Sequence, residues 1–397
     1  MCETSVPGYH RVAMPDKTAA RLHIEKLVAG GDGLAFLDGK AVFVPFSLPG
    51  ESVLASLHPG KRDFAKADLV QILEPSPHRV QAPCPIYGEC GGCNLQHLAY
   101  PRQVEEKSLI VADAFSRTAH LETGKITSVP SLPFSYRNRM QLHFTRERRI
   151  GFMKRSSSEV VEAPTCLVAL RPIKEWIEAG AGTGRAYDEL KAFVFDKDRF
   201  LAFGYGDEVW IEGAKGLVEV AVAGQDIRFH LKDFFQSNLR LLDSFVPDAV
   251  AGLSGDRAAD LYCGVGLFGR FLAPTFQNLV CVEQNPHALG LARDNVPGKN
   301  HEFHALPVED WVRGESARKP FDLVLVDPPR TGLAVPVREW LATVKPATIV
   351  YLSCDPVTLA RDSADLVKAG YELKSLKPYD FYPQTSHVEC NARFILR

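Results

Sequence analysis

No stretch of the 397-residue chain approaches the roughly 18 consecutive apolar residues that a bilayer-spanning helix needs; the longest, such as Phe321–Val326, are strand-sized. An excess of one charge sign is lacking too. The 46 basic and 48 acidic side chains leave a net charge of −2, so any grip on a polyanion must come from local charge. Met1–Lys17 has no apolar centre between Glu3, Pro7, Pro15 and Asp16, and is read as no secretory signal. Repeats and low-complexity tracts are missing. With 46% hydrophobic and 24% charged residues, this excludes a disordered or fibrous chain. The expectation is a cytoplasmic globular monomer of two or three domains with no membrane contact.

What is present is unevenly placed. The nine cysteines are an odd number in a long chain, which favours metal binding or catalysis over a disulfide framework. Cys84, Cys90 and Cys93 share one short window with Gly88, Gly91 and Gly92, whose bare backbone can wrap an ion. Cys2, Cys166, Cys263, Cys281, Cys354 and Cys390 stand apart. A tetrahedral site needs a fourth ligand, for which Cys166, Cys263 and His97 are candidates; zinc and an iron–sulfur cluster both suit thiolates.

Glycine punctuation divides the chain. Short β-branched runs between Arg21 and Glu74, broken at Gly30-Gly31-Asp32-Gly33, Asp38-Gly39 and Pro49-Gly50, predict a small antiparallel β-barrel over residues 1–76. A mixed α+β region follows over 77–227, with a helix at Tyr100–Phe115 and strands at Met140–Phe144 and Arg149–Met153. Over 228–397, buried-strand runs (Ala258–Cys263, Asn278–Glu283, His301–Leu306, Phe321–Asp327, Ala347–Cys354, Tyr371–Leu376 and Ala392–Leu396) alternate with helical stretches such as Gly266–Ala273, Pro286–Asn295 and Pro356–Ala369. That alternation predicts an α/β, doubly wound, largely parallel Rossmann-like sheet.

Ligands of such sheets sit beyond the carboxyl ends of the strands, so the motifs at those ends are expected to face one crevice. Asp260-Leu261-Tyr262-Cys263-Gly264-Val265-Gly266 makes a sharp glycine turn, and Glu283, about 20 residues on, can accept ribose hydroxyls; this pattern fits NAD or S-adenosylmethionine. Asp327-Pro328-Pro329-Arg330 and Ser353-Cys354-Asp355-Pro356 close two further strands. Arg330 stands where an aromatic residue would support methylation of a base amino group, which argues against that chemistry. Cys354 lies just before a helix, whose free N–H groups and dipole would favour a thiolate. His387-Val388-Glu389-Cys390 brings a carboxylate to the last strand. A thiolate and a base together solve one problem: C5 of a pyrimidine becomes nucleophilic only after a thiol adds at C6, and the C5 proton must then be removed.

These four motifs, in this order, resemble the RNA uracil-5-methyltransferase family over nearly the whole chain. The resemblance implies that Cys354 is the nucleophile and Glu389 the general base. It implies S-adenosylmethionine contacts from Gln236 (in Phe234-Phe235-Gln236-Ser237-Asn238), Tyr262, Gly264, Glu283 and Asp327. It also implies a [4Fe–4S] cluster on Cys84, Cys90, Cys93 and Cys166, the last after Ala-Pro-Thr. Leu267 departs from the asparagine that many relatives carry after the second glycine. The N-terminal barrel resembles a TRAM domain, an RNA-binding module, and barrel plus cluster point to 23S rRNA over transfer RNA. A non-catalytic RNA-binding or assembly protein is the alternative from another class. Arg137, Arg139, Arg146, Arg148, Arg149, Lys154 and Arg155, against the single acid Glu147 and interleaved with Tyr136, Phe144 and Phe152, read as a surface that holds phosphates and stacks unpaired bases.

Overall fold

The computed structural model describes residues 19–59, 63–180, 183, 190, 199–213 and 216–397. The readings on Met1–Lys17 lie outside the described residues.

The first sheet has six strands in the order Ala19–His23, Ser52–Leu57, Phe64–Glu74, Lys40–Val44, Gly33–Leu37, Lys26–Leu27. At Asp38-Gly39 both residues have positive φ, 50° and 78°, the geometry of a two-residue hairpin turn. The Phe64–Glu74 strand is long enough to serve both halves. It pairs antiparallel with Ser52–Leu57 through two register shifts and parallel with Lys40–Val44. Bulges and a shared long strand curl the sheet around Leu22, Ile24, Val42, Val44 and Val53. The expected antiparallel barrel is thus a curled sheet with one parallel pairing.

A helix at Tyr100–Ala114 starts with Pro101 in its first turn, where a missing N–H costs nothing. A five-stranded sheet follows, in the order Glu208–Ile211, Arg199–Tyr205, Arg139–Phe144, Ile150–Met153, Val160–Glu162. The helix Arg171–Gly180 covers it with Ile173 and Ile177, closing a core of Met140, Leu142, Phe144, Ile150 and Phe200. The hairpin of Val218–Val222 and Gln225–Phe229 turns its apolar residues into the core of the last sheet.

That last sheet has seven strands in the order Glu302–His304, Phe276–Val282, Gly255–Leu261, Leu323–Val326, Thr348–Ser353, Glu389–Leu396, Tyr371–Tyr379. The first five are parallel; Glu389–Leu396 runs antiparallel to both of its neighbours. Hydrophobic cores lie on both faces, as a doubly wound sheet requires. Among the described residues, no helix is long and apolar enough to cross a membrane.

Candidate active site

The parallel strands deliver their motifs to one edge. Gly255–Leu261 ends with Asp260 buried, its Oδ2 accepting the Gly269 amide at 2.9 Å. That bond ties the glycine turn to the Leu267–Leu272 helix. Burial pushes the Asp260 carboxyl up to about 8, against the pull of the Gly269 amide and helped by the Asp327 and Glu283 charges. Through the turn, Tyr262, Gly264 and Gly266 have φ of 63°, 54° and 82°. A Cβ on Gly266 would stand 2.9 Å from Val296 Cγ2, so only glycine fits, whereas the bare side of Gly264 faces open space. Leu267 is buried as the first residue of the helix and packs into the core instead of facing a ligand.

Glu283 follows the next strand. Its Oε2 accepts the Gly264 amide at 3.1 Å and its Oε1 the Asn285 amide at 2.8 Å, which orients the carboxylate and leaves lone pairs for hydroxyl donors. The Tyr262 hydroxyl donates to Glu309 Oε1 at 3.3 Å. Gln236 approaches from the loop ahead of the Leu239–Val250 helix. Phe235 anchors that loop by stacking on Phe229 with centroids 4.2 Å apart, and Asn238 caps the helix. The Gln236 Oε1 is buried with no hydrogen-bond partner, a costly arrangement that a bound donor would relieve. Phe234 beside it is 66% exposed.

Cys354 and Glu389 meet because the last strand is reversed. Ser353 pairs with Cys390 in the antiparallel ladder, so the start of Glu389–Leu396 lies beside the end of Thr348–Ser353. Burial holds the Glu389 carboxyl well above the usual carboxylate range, with the Asp327 charge adding and Arg330 opposing. Asp327, half-buried at the strand end, is pushed up to about 7 by its desolvation. The Cys354 thiol is pushed up to about 12, first by burial, then by the Glu389 and Asp327 charges, with Arg330 opposing.

Here the expected source of activation is corrected. The N–H groups of the Pro356–Lys368 helix do not serve Cys354, because Asp355 caps them: its Oδ1 accepts the Val357 and Thr358 amides, both at 2.9 Å. Arg330 is the cation that favours the thiolate, a role that its place in Asp-Pro-Pro-Arg did not reveal. Its guanidinium lies 3.5 Å from His387 Nε2, and burial together with Arg330 pushes His387 down to about 4, leaving it neutral. Tyr382, which no motif signalled, stands near Glu389 and Cys354 and stacks under Arg137 at 5.8 Å.

The cysteines sort cleanly. Cys84, Cys90, Cys93 and Cys166 line one cavity of about 370 Å³. Cys263 is instead buried beside Cys281 in the core of the last sheet, and His97 bonds the Tyr87 hydroxyl at 2.6 Å without lining that cavity. Backbone amides reach three of the four sulfurs: Gly92 to Cys90 at 3.4 Å, Ile86 and Tyr87 to Cys84, and Val168 and Ala169 to Cys166. Burial pushes Cys93 up to about 12 and Cys166 up to about 11, with neighbouring thiols adding. As the side chains stand, no group of three or more His, Cys, Asp or Glu among the described residues is gathered tightly enough to form a metal site.

Against known proteins, residues 315–396 match the family model described as tRNA (Uracil-5-)-methyltransferase, and residues 239–347 match a methyltransferase small domain. A protein of Shewanella amazonensis, the 23S rRNA (uracil(1939)-C(5))-methyltransferase RlmD, is 33% identical, with 94% of this chain and 95% of the relative covered. The chain belongs to the RNA uracil-5-methyltransferase family. S-adenosylmethionine-dependent methylation of uracil C5 in RNA is the reaction of that family. An uncharacterized RNA methyltransferase of Aquifex aeolicus is 34% identical over 95% of this chain and 98% of its own. The structure of the Pyrococcus abyssi tRNA (uracil-54, C5)-methyltransferase with S-adenosyl-L-homocysteine superposes with a TM-score of 0.70 and 26% identity, covering 95% of this chain and all of that one.

The methyltransferase does not present the expected aromatic strip. Tyr136 is buried, its hydroxyl donating to Pro383 O at 2.9 Å, and Phe144 is buried in a stack on Phe200 with centroids 5.0 Å apart. Phe152 is half-buried at the cysteine cavity. Neither Tyr136 nor Phe144 has a free ring face, so base stacking by them is ruled out. Of the basic residues, Arg139 is spent on Leu231 O at 3.2 Å, while Arg146 and Arg148 are exposed.

Proposed function

We propose that this methyltransferase modifies a uridine in 23S ribosomal RNA, with Cys354 as the nucleophile and Glu389 as the base. The observation that carries the reading is the Ser353–Cys390 pairing, which sets a thiol and a buried carboxylate side by side at the strand ends. Cys354 attacks C6 as the thiolate that Arg330 favours; the C5=C6 π pair moves onto C5, which takes the methyl group. Glu389 then accepts the C5 proton, the C–H pair re-forms C5=C6, and the thiolate departs. Bound S-adenosylmethionine would supply the methyl group and a positive charge, its S–CH3 bond breaking with the electron pair returning to sulfur so that S-adenosylhomocysteine leaves. Gln236, Tyr262, Gly264, Glu283 and Asp327 would hold it, and the open side of Gly264 and the unpartnered Gln236 Oε1 suit a ligand there. A cation in this crevice favours the ionised forms of Asp327 and Glu389, which burial otherwise keeps protonated.

The four cavity cysteines suit a [4Fe–4S] cluster. The donor set is all sulfur, no Asp or Glu lines the cavity, and backbone amides point at the sulfurs. The curled sheet of the N-terminal region (1–76) would act as a TRAM-like module that docks RNA beside the cluster-bearing region (77–227), with Arg146 and Arg148 meeting phosphates. The target base must be flipped out or unpaired to reach Cys354.

The deciding experiment is nucleoside mass spectrometry of ribosomal and transfer RNA from cells with and without the gene. Loss of 5-methyluridine from 23S rRNA is expected. Loss from transfer RNA instead overturns the substrate, and no loss from either favours the non-catalytic reading.

A further inference from the structure

Gln384 is a non-glycine residue held at φ 68°, in the segment that leads into Glu389. Such a conformation persists only where its surroundings over-determine it. Here two other parts of the chain do so. From the Tyr100–Ala114 helix, Gln103 Oε1 accepts the Gln384 amide at 2.9 Å, and Gln103 Nε2 donates to Gln384 Oε1 at 2.9 Å. From the segment just after Cys93, the Asn94 and Leu95 amides donate to Gln384 O at 3.1 and 3.0 Å. The Asn94 side chain extends the clamp: its Oδ1 accepts the Ser386 amide at 2.9 Å, and its Nδ2 donates to Ser386 Oγ at 3.2 Å and to Gly30 O at 2.8 Å. The joint has no slack. A Cβ on Gly31 would stand 2.7 Å from Asn94 Nδ2 and 2.8 Å from Ser386 Cβ.

We infer that Asn94 is a positioning residue for the base, fixing the Gln384–Ser386 segment, and through it Glu389, to the cysteine-bearing segment and to the N-terminal sheet. The inference rests on the assignment of Glu389 as the base. Asn94 follows Cys93 directly, so whatever orders the cysteine cavity also orders the strand that carries the base. Gly30 and Ser386, distant in sequence, converge on the Asn94 side-chain amide, and Ser386 stands three residues ahead of Glu389.

A base moved off its target slows proton removal more than methyl transfer, because only the second half-reaction needs it. The test is single-turnover reaction with labelled S-adenosylmethionine and RNA, following both methyl incorporation and the denaturant-stable protein–RNA adduct. Asn94→Ala is expected to lengthen the adduct lifetime on the order of tenfold or more, with methyl incorporation changed far less. S-adenosylhomocysteine binding and visible iron–sulfur absorption should stay unchanged. Asn94→Asp, which keeps the acceptor for the Ser386 amide, should restore most of the release rate. If Asn94→Ala proves insoluble, Gln103→Met breaks the same clamp from the helix side and should give the same adduct. Release at the wild-type rate from these variants, or equal slowing of both half-reactions, overturns the inference. Glu389→Gln is run in parallel: if it fails to accumulate adduct, the assignment of the base is what falls.

Discussion

The methyltransferase keeps thiols in two very different neighbourhoods. At the strand ends, Cys354 stands among Glu389, Asp327 and Arg330, with the buried Cys390 nearby. In the central region, Cys84, Cys90, Cys93 and Cys166 crowd one cavity with no carboxylate in its lining, and raise one another's pKa. Cys354 and the four cavity thiols are all held protonated by burial, so burial does not separate them. The neighbours do. A thiol beside a buried carboxyl and a guanidinium can be switched to thiolate, used and regenerated, which is what covalent catalysis needs. The four cavity thiols have one another, backbone amides and the Arg137 guanidinium for company, with His143 and Lys154 also in the lining and no carboxylate.

That contrast can be broken most sharply at Cys354. Cys354→Ser should lower methyl incorporation on the order of ten-thousand-fold while S-adenosylhomocysteine binding measured by calorimetry is retained. Comparable turnover from the serine variant would mean that this thiol is not the nucleophile. The cavity thiols should behave in the opposite way. Cys93→Ala should cost the anaerobically purified protein its brown colour and most of its iron and sulfide, measured chemically. Colourless wild-type protein with stoichiometric zinc would replace the cluster with an ion.

The carboxyls of the crevice make a smaller, pH-dependent prediction. Asp260 rises from 3.8 to about 8 and Asp327 from 3.8 to about 7 on folding. Between those limits the folded chain binds more protons than the unfolded one, so stability falls as pH rises from about 4 to about 8. The melting temperature of the ligand-free protein should drop over that window, and Asp260→Asn should flatten the drop; a flat wild-type profile would show that these carboxyls are already ionised. The smallest effect belongs to Tyr136. Tyr136→Phe removes the bond to Pro383 O and should cost about 1 kcal/mol in denaturant unfolding, with RNA affinity within about twofold of wild type. A large loss of affinity at unchanged stability would return Tyr136 to the RNA surface.

Much of the crevice was legible because its signals are local. A strand end followed by Gly-x-Gly, Asp-Pro-Pro or Cys-Asp-Pro announces both a boundary and a chemical group, and the Pro356 helix begins where the proline says it should. Cys166 lines the same cavity as the other three cysteines, although no such group among the described residues is gathered tightly enough to form a metal site. Other features depend on what the chain meets far away. Tyr136 and Phe144 read as surface among the arginines, yet strand alternation turns Phe144 into the core of the central sheet, and Tyr136 is buried ahead of that strand against Pro383. Nothing in Ser353-Cys354-Asp355-Pro356 marks Asp355 as the residue whose oxygen takes the helix amides that Cys354 was expected to use. The clamp of Asn94 on Ser386 joins residues 292 positions apart, and no periodicity or motif carries such a contact.

The pairing of Ser353 with Cys390 gives the reaction a discrete ruler. Strands in a ladder slide past each other only by whole residues, and a slip of one turns every side chain to the opposite face. The ladder therefore fixes the backbone register of thiol and base in whole-residue steps, and the finer placement of Glu389, the first residue of its strand, is left to the segment that leads into it. A residue deleted from the Glu389–Leu396 strand would send Glu389 out of the crevice. One deleted from the connection before it would only tug on the segment that Asn94 and Gln103 restrain.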